Sequence, residues 1–235
     1  MKNIKLFRNV TSNIIIGCIL LGVLMFGIYS QSSASVMVSQ PIYSGDSKDK
    51  VSLMVNVYWG TEFIDDMLEI FAKHNTHTTF FVGGSWVKNN EDVLKKIHNS
   101  GHEIANHGYF HSQHDKLDEK GNRQEIMATH NLVKALIGVD MNLFAPPSGA
   151  YNKLTVDTAS NLGYTTIMWS LDTIDWRDKD KNKVFSRATS RIKGGDLVLM
   201  HPTKHTTLAL DDILTQIENK GLSVCPVSDV IQNNL

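Results

Sequence analysis

Two imidazoles stand four positions apart in His107-Gly-Tyr-Phe-His111, directly after the strand-like run Glu103-Ile-Ala-Asn106. If the chain turns into a helix there, the i, i+4 spacing brings both rings onto one face. Two ring nitrogens so placed can hold one metal ion. The pattern alone is weak, because two unrelated surface histidines satisfy it equally well. Later stretches add weight: Ala145-Pro-Pro-Ser-Gly-Ala-Tyr151, Asp172-Thr-Ile-Asp-Trp176 and Leu199-Met-His201. Between them they carry carboxylates, a further imidazole and a proline-stiffened loop.

The elements that must position these residues follow one grammar. Val51-Ser-Leu-Met-Val-Asn-Val57 is nearly all apolar, as a strand buried on both faces requires. An amphipathic segment, a glycine and a strand then recur at Gly101, Gly163 and Gly221, each glycine suited to ending a helix. The strands they introduce are 102–106, 164–169 and 222–225. Further strands are expected at 78–82, 142–145 and 196–201, and helices at 62–72 and 119–136. Strands alternating with helices imply βαβ units and a parallel sheet. About six or seven such units in one domain favour a closed or nearly closed barrel. Asn56, His107, Ala145-Pro146, Asp172 and His201 all fall at or just past the C-terminal ends of expected strands. In a (β/α) barrel those ends share one rim, where active sites are built.

The chain has 235 residues, 42% hydrophobic and 20% charged, with a net charge of −1. That is an ordinary globular balance. It gives no basic tract for nucleic acid or for an anionic membrane surface. Lys2, Lys5 and Arg8 precede an apolar run from Ile14 to Tyr29, followed by Ser30-Gln-Ser-Ser-Ala-Ser35. Residues 1–35 therefore read as a signal peptide or N-terminal membrane anchor, and either one places the rest of the chain outside the cytoplasm. Membrane contact is expected only through that segment. Residues 36–49 read as a linker and 50–235 as the folded domain. Of the two cysteines, Cys18 lies in the targeting segment and Cys225 at a late strand end. No disulfide and an inert thiol are expected. Oligomeric state is not legible.

From Val51 onward the motifs and their order resemble the polysaccharide deacetylase (NodB-homology) carbohydrate esterases, and within them the sporulation-associated branch of spore-forming bacteria. The resemblance implies a deformed (β/α) barrel with about seven parallel strands. It implies a secreted hydrolase that removes N-acetyl groups from a cell-wall glycan, peptidoglycan being the expected substrate. It implies a divalent metal, usually zinc, with His107 and His111 as ligands. His201 is the implied general acid, oriented by Asp172, with Asp175 undecided between a role and a turn. Leu199 would line a pocket for the acetyl methyl and Trp176 would wall the groove. The loop from Phe144 through Pro146 to Tyr151 would cradle substrate, the Tyr151 backbone N–H stabilising an oxyanion. His114 is expected to be solvated.

The first motif departs from the family's Thr-Phe-Asp-Asp-Gly. The matching stretch is Val55-Asn-Val-Tyr-Trp-Gly60, with Asn56 read as standing in the base position. An amide cannot take up a proton at neutral pH. The aspartate metal ligand is missing too, and Tyr58 and Trp59 are poor substitutes. The arginine that opens the family's third motif is replaced by Ala145, which agrees with the loss of the acid it would pair. Three readings follow: a deacetylase using Glu62, Asp65 or Asp175 instead; a weak or inactive relative that still binds glycan; a structural protein of the envelope or spore cortex. The retained His201, Asp172 and histidine pair favour residual hydrolysis.

Overall fold

The computed structural model describes residues 40–232, and Ser39–Leu235 forms a compact unit of its own. The targeting segment expected over 1–35 lies outside the described residues. Seven strands form one sheet in the order β5-β4-β3-β2-β1-β7-β6, and β8 pairs with β1 beside this path. They are β1 (Lys50–Val57), β2 (Thr79–Val82), β3 (Glu103–Asn106), β4 (Leu143–Phe144), β5 (Thr165–Thr166), β6 (Leu171–Asp172), β7 (Leu197–Met200) and β8 (Ser223–Val224). Every pairing is parallel. The deformed-barrel expectation holds. β1 sits in the middle, paired to both β2 and β7, which is why its side chains from Val51 to Val57 are all buried.

Strand alternation sorts the sheet into two cores. Leu53, Val55 and Val57 of β1 face the helices together with Phe80, Val82 and Ile104. Met54, Phe81, Ala105, Leu143 and Leu197 face the barrel interior. The helices of the outer layer include α1 (Ile64–Lys73), α2 (Gly84–Asn89), α3 (Glu91–Asn99) and α4 (Glu119–Ile137). They continue with α5 (Lys153–Asn161), α6 (Lys181–Thr189) and α7 (Lys204–Asn219). A final turn, α8 (Val227–Val230), sends Val227 and Val230 into the interior core. Helix α4 starts where Asp118 accepts the Gly121 N–H and stops at Gly138. The three glycines expected at helix ends, Gly101, Gly163 and Gly221, all have positive φ.

Two expectations change. Of the stretch 36–49, read as linker, the described part from residue 40 onward in part joins the fold. Ile42 pairs in parallel with Ile167 and Ser44 antiparallel with Asp196, so this segment connects the β5 side of the sheet to the turn leading into β7. Its few apolar residues hid that role, because backbone groups make the bridges: Ile42 N–H to Thr166 O at 2.9 Å and Gly45 N–H to Gly195 O at 2.8 Å. Strand β5 is shorter than the expected 164–169, because Met168 N–H turns away to Ile42 O at 2.8 Å.

Candidate active site

Interior parity carries the site. Asn56 lies two residues beyond Met54, His107 two beyond Ala105, and Leu199 and His201 two and four beyond Leu197, so each projects inward above the apolar core. A cavity of about 390 Å³ opens there. Asn56, His107, His111, Asp172, Leu199 and His201 line it, and Trp59, Trp169, Trp176 and Ser148 complete its wall. The sequence reading had placed Asn56, both histidines, Asp172, Trp176, Leu199 and His201 here. Ser148 enters from the loop expected to cradle substrate, Trp169 is not marked in the sequence, and Trp59 reads there only as a misfit in the first motif.

The histidine pair is not held by a helix. After β3 the chain runs as a loop in which Gly108 and His111 both take positive φ, 70° and 58°. A non-glycine residue in that region is uncommon, and here the surroundings hold it. Tyr109 and Phe110 N–H groups both donate to Glu125 Oε2 at 2.8 Å, and Gly84 and Ser85 N–H groups donate to Gly108 and Tyr109 carbonyls. The folded-back loop sets the two rings 5.2 Å apart between centroids. The His107 ring bonds Ala145 O at 2.8 Å through Nδ1. A carbonyl only accepts, so Nδ1 carries the proton and Nε2 keeps its lone pair. Burial, then the neighbouring His111, pushes the His107 pKa down to about 3, so the ring is neutral. His111 is lowered as well, chiefly by burial.

His114, expected to be solvated, is fully buried. Its Nδ1 meets Asn122 Oδ1 at 2.7 Å and its Nε2 has no partner. The chain folds α4 over the loop, so a position that reads as surface in a polar stretch ends beneath it.

The acid pair also differs from expectation. His201 Nδ1 meets Asp175 Oδ1 at 2.7 Å, while the His201 N–H and the Thr206 hydroxyl donate to Asp175 Oδ2 at 2.7 and 2.6 Å. Asp175, not Asp172, orients the imidazole and leaves His201 Nε2 for the cavity. Burial raises the Asp175 carboxyl, but the hydrogen bonds from His201 and Thr206 outweigh it and hold it below the usual range. Asp172 accepts the Ile174 N–H at 2.7 Å, closing a tight turn in which Ile174 has φ 52°. That turn swings Asp175 inward, a reversal that spacing alone does not reveal. Burial pushes the Asp172 carboxyl up.

The third motif contributes Ala145 O to His107 and the strained Ser148 (φ 56°) to the cavity wall. Pro146 is buried behind it, its carbonyl accepting the Gly149 N–H. Tyr151 is not among the cavity-lining residues, and its hydroxyl meets that of Tyr43 at 2.6 Å.

Aromatic rings stand against both His111 and His201. Tyr58 packs on His111 at 4.6 Å and its hydroxyl donates to Phe110 O at 3.0 Å. Trp59 stacks on His201 at 5.4 Å and 19°. Asn56 Oδ1 is buried without a partner. Of the acids considered as replacements, Asp65 pairs with Lys96 at 2.7 Å, Glu62 lines a neighbouring cavity, and Asp175 is taken up by His201 and Thr206. Among the described residues no third His, Cys, Asp or Glu joins His107 and His111 in a metal-holding group. A catalytic zinc takes three protein ligands. Two neutral imidazoles and one orphaned amide oxygen do not fit that requirement.

Comparison with known proteins agrees with this geometry. Residues 44–167 match the polysaccharide deacetylase family. The chain is 38% identical to the uncharacterized protein YlxY of Bacillus subtilis, over 87% of this chain and 66% of that protein's length. It thus spans slightly less than two thirds of that relative. A peptidoglycan-N-acetylglucosamine deacetylase of Bacillus cereus is 27% identical, over 80% of this chain and 70% of its own. Among solved structures, a CE4 family pseudoenzyme from Bacillus anthracis superposes with a TM-score of 0.79 at 36% identity, covering 81% of this chain and 68% of that one. A mutant of that pseudoenzyme is described as having restored enzymatic activity. With the parallel barrel, the inward histidine pair and the His201–Asp175 couple in place, the chain belongs to the polysaccharide deacetylase family.

Proposed function

We propose that this protein binds N-acetylated cell-wall glycan of the peptidoglycan type in the 390 Å³ cavity without turning it over at a deacetylase's rate. The observation that carries this is the set of aromatic rings standing where the first motif would supply acids: Tyr58 on His111 and Trp59 on His201, with a neutral Asn56 whose Oδ1 is unpartnered among the described residues. Among the described residues no carboxylate completes a ligand set with the pair, and Asp172, the carboxylate that lines the cavity, is engaged by the Ile174 N–H. A missing base costs about 10²–10⁴-fold in rate. The apolar and aromatic wall of Leu199, Trp169 and Trp176 remains suited to a sugar face and an acetyl methyl. The pseudoenzyme and deacetylase relatives support the same reading. The pattern of the first 35 residues supports an extracytoplasmic place, with membrane contact through that segment, and the Bacillus relatives support the wall of a spore-forming bacterium.

A second reading, slow metal-dependent deacetylation, is favoured by one observation: the His201–Asp175 couple is intact. In that reading His201 Nε2 protonates the departing nitrogen, and Asp175 holds the imidazole in position. His107 and His111 would retain zinc weakly. One experiment separates the two. Zinc per chain and acetate release from N-acetylglucosamine oligomers and peptidoglycan are measured on the same sample. Binding without acetate is the expected result. Acetate release that disappears in His107→Ala would replace the first reading with the second. Tyr58→Asp, which places a carboxylate against His111, is expected to raise zinc occupancy.

A further inference from the structure

A second cavity, of about 680 Å³, adjoins the first and is larger than it. The two share Trp59 and Trp176, whose rings are 45% and 55% exposed. The new walls come from three places: Glu62 and Phe63 before α1, the stretch after the Asp175 turn, with Lys179 and Lys181, and the start of α7, with Lys204 and Leu208. Its charge balance is cationic. Three lysines face it against Glu62 and Asp175. The Asp175 carboxylate is occupied by His201 and Thr206. Glu62 Oε2 accepts the Thr61 N–H at 3.0 Å. Lys181 stands 3.7 Å from Asp212. Lys179 and Lys204 have no acidic partner among the described residues.

We propose that this second cavity is a subsite for a carboxylate-bearing unit of the glycan held in the first, with Lys179 and Lys204 as the anion contacts and the Trp59–Trp176 pair as the shared stacking surface. The inference rests on the glycan-binding reading above and adds the charge of the ligand to it. Continuity argues for one ligand: a chain lying against both tryptophans enters both cavities. Chemistry selects the class. Indole faces suit sugar rings, and ammonium groups on flexible stems suit carboxylate as point charges. A neutral oligomer would use the tryptophans and leave the lysines unengaged. The carboxylate can be borne on an acidic ether substituent of the sugar or on a peptide attached to it, and the test separates these.

The full chain is titrated with three probes of similar length: N-acetylglucosamine oligomers, peptidoglycan strands stripped of peptide, and strands retaining peptide. The acidic probes are expected to bind more tightly than the neutral one, and the difference should shrink with salt. Lys179→Ala with Lys204→Ala is expected to weaken acidic-probe binding about tenfold and leave the neutral probe unchanged. Trp176→Ala should weaken all three. A preference confined to peptide-bearing strands assigns the carboxylate to the peptide, and an equal preference for both acidic strands assigns it to the sugar. If the lysine variants bind every probe as the parent does, the inference is overturned and the glycan-binding reading stands. If the parent binds none of the probes, both fall. Thermal melting of each variant confirms that these exposed substitutions leave the fold intact.

Discussion

Strand β3 carries a histidine at each end, and the two ends behave differently. His102 precedes it and His107 follows it. Both are buried and both are held neutral, His102 with a pKa of about 4 and His107 of about 3, each chiefly by burial. The His102 ring is enclosed edge-on by Phe71, Phe80 and His77, and its Nδ1 accepts the Thr78 N–H at 3.1 Å. It packs at the N-terminal end of the strand, beside a smaller cavity of about 270 Å³ that it lines with His77 and that, among the described residues, no carboxylate lines. The His107 ring is fixed by a carbonyl through Nδ1, which turns Nε2 toward a cavity shared with a second imidazole and an acid couple. Burial and a depressed pKa therefore do not distinguish the two rings. What the ring's remaining nitrogen meets does.

The largest expected effect breaks the structural end. Phe71 is fully buried against both His102 and Phe80, so Phe71→Ala should cost about 3–5 kcal/mol, read as a loss in denaturant midpoint. Next comes pH. The folded pKa of His102 lies below its unfolded value, so its stabilising contribution is complete above about pH 6.5 and is lost as pH falls toward about 4. Melting temperature should decline across that window, and His102→Gln, which can still accept the Thr78 N–H, should flatten part of the decline. At the cavity end His107→Ala should cost only about 1–2 kcal/mol, because the ring already borders a cavity. An equal cost at both ends would erase the distinction. The smallest effect sharpens it: Asn56→Leu removes a buried carbonyl oxygen that lacks a partner and should be neutral or stabilising by about 1 kcal/mol. A marked loss of stability would mean that the amide contributes to packing or bonding, and is not kept for a ligand.

Much of the site was legible because parallel barrels obey parity. An apolar run such as Val51–Val57, followed by chemistry-bearing residues at strand ends, predicts inward convergence whatever the loops do. Asp175 was not separable from Asp172 in this way. Three residues apart on a turn, either can reach a histidine, and the positive φ of Ile174 decides which does. His114 was misread for a similar reason: its polar neighbours describe the loop, not the helix that folds over it. The pair His107 and His111 was found on a helical premise, but a glycine at 108 and a left-handed His111 bring the rings together without one. The aromatic replacement of the acids was visible as a departure in the first motif. Its meaning depended on contacts: Tyr58 on His111 and Trp59 on His201.

The sequence by itself determined the barrel, the rim and the types of side chain on it, because strand burial and alternation are local and periodic. Only the tertiary structure decided which carboxylate holds His201, that no acid among the described residues joins the histidine pair in a metal-holding group, and that a lysine-lined cavity continues from the first. Those depend on side chains far apart in the chain meeting at one place, and no local pattern encodes that meeting.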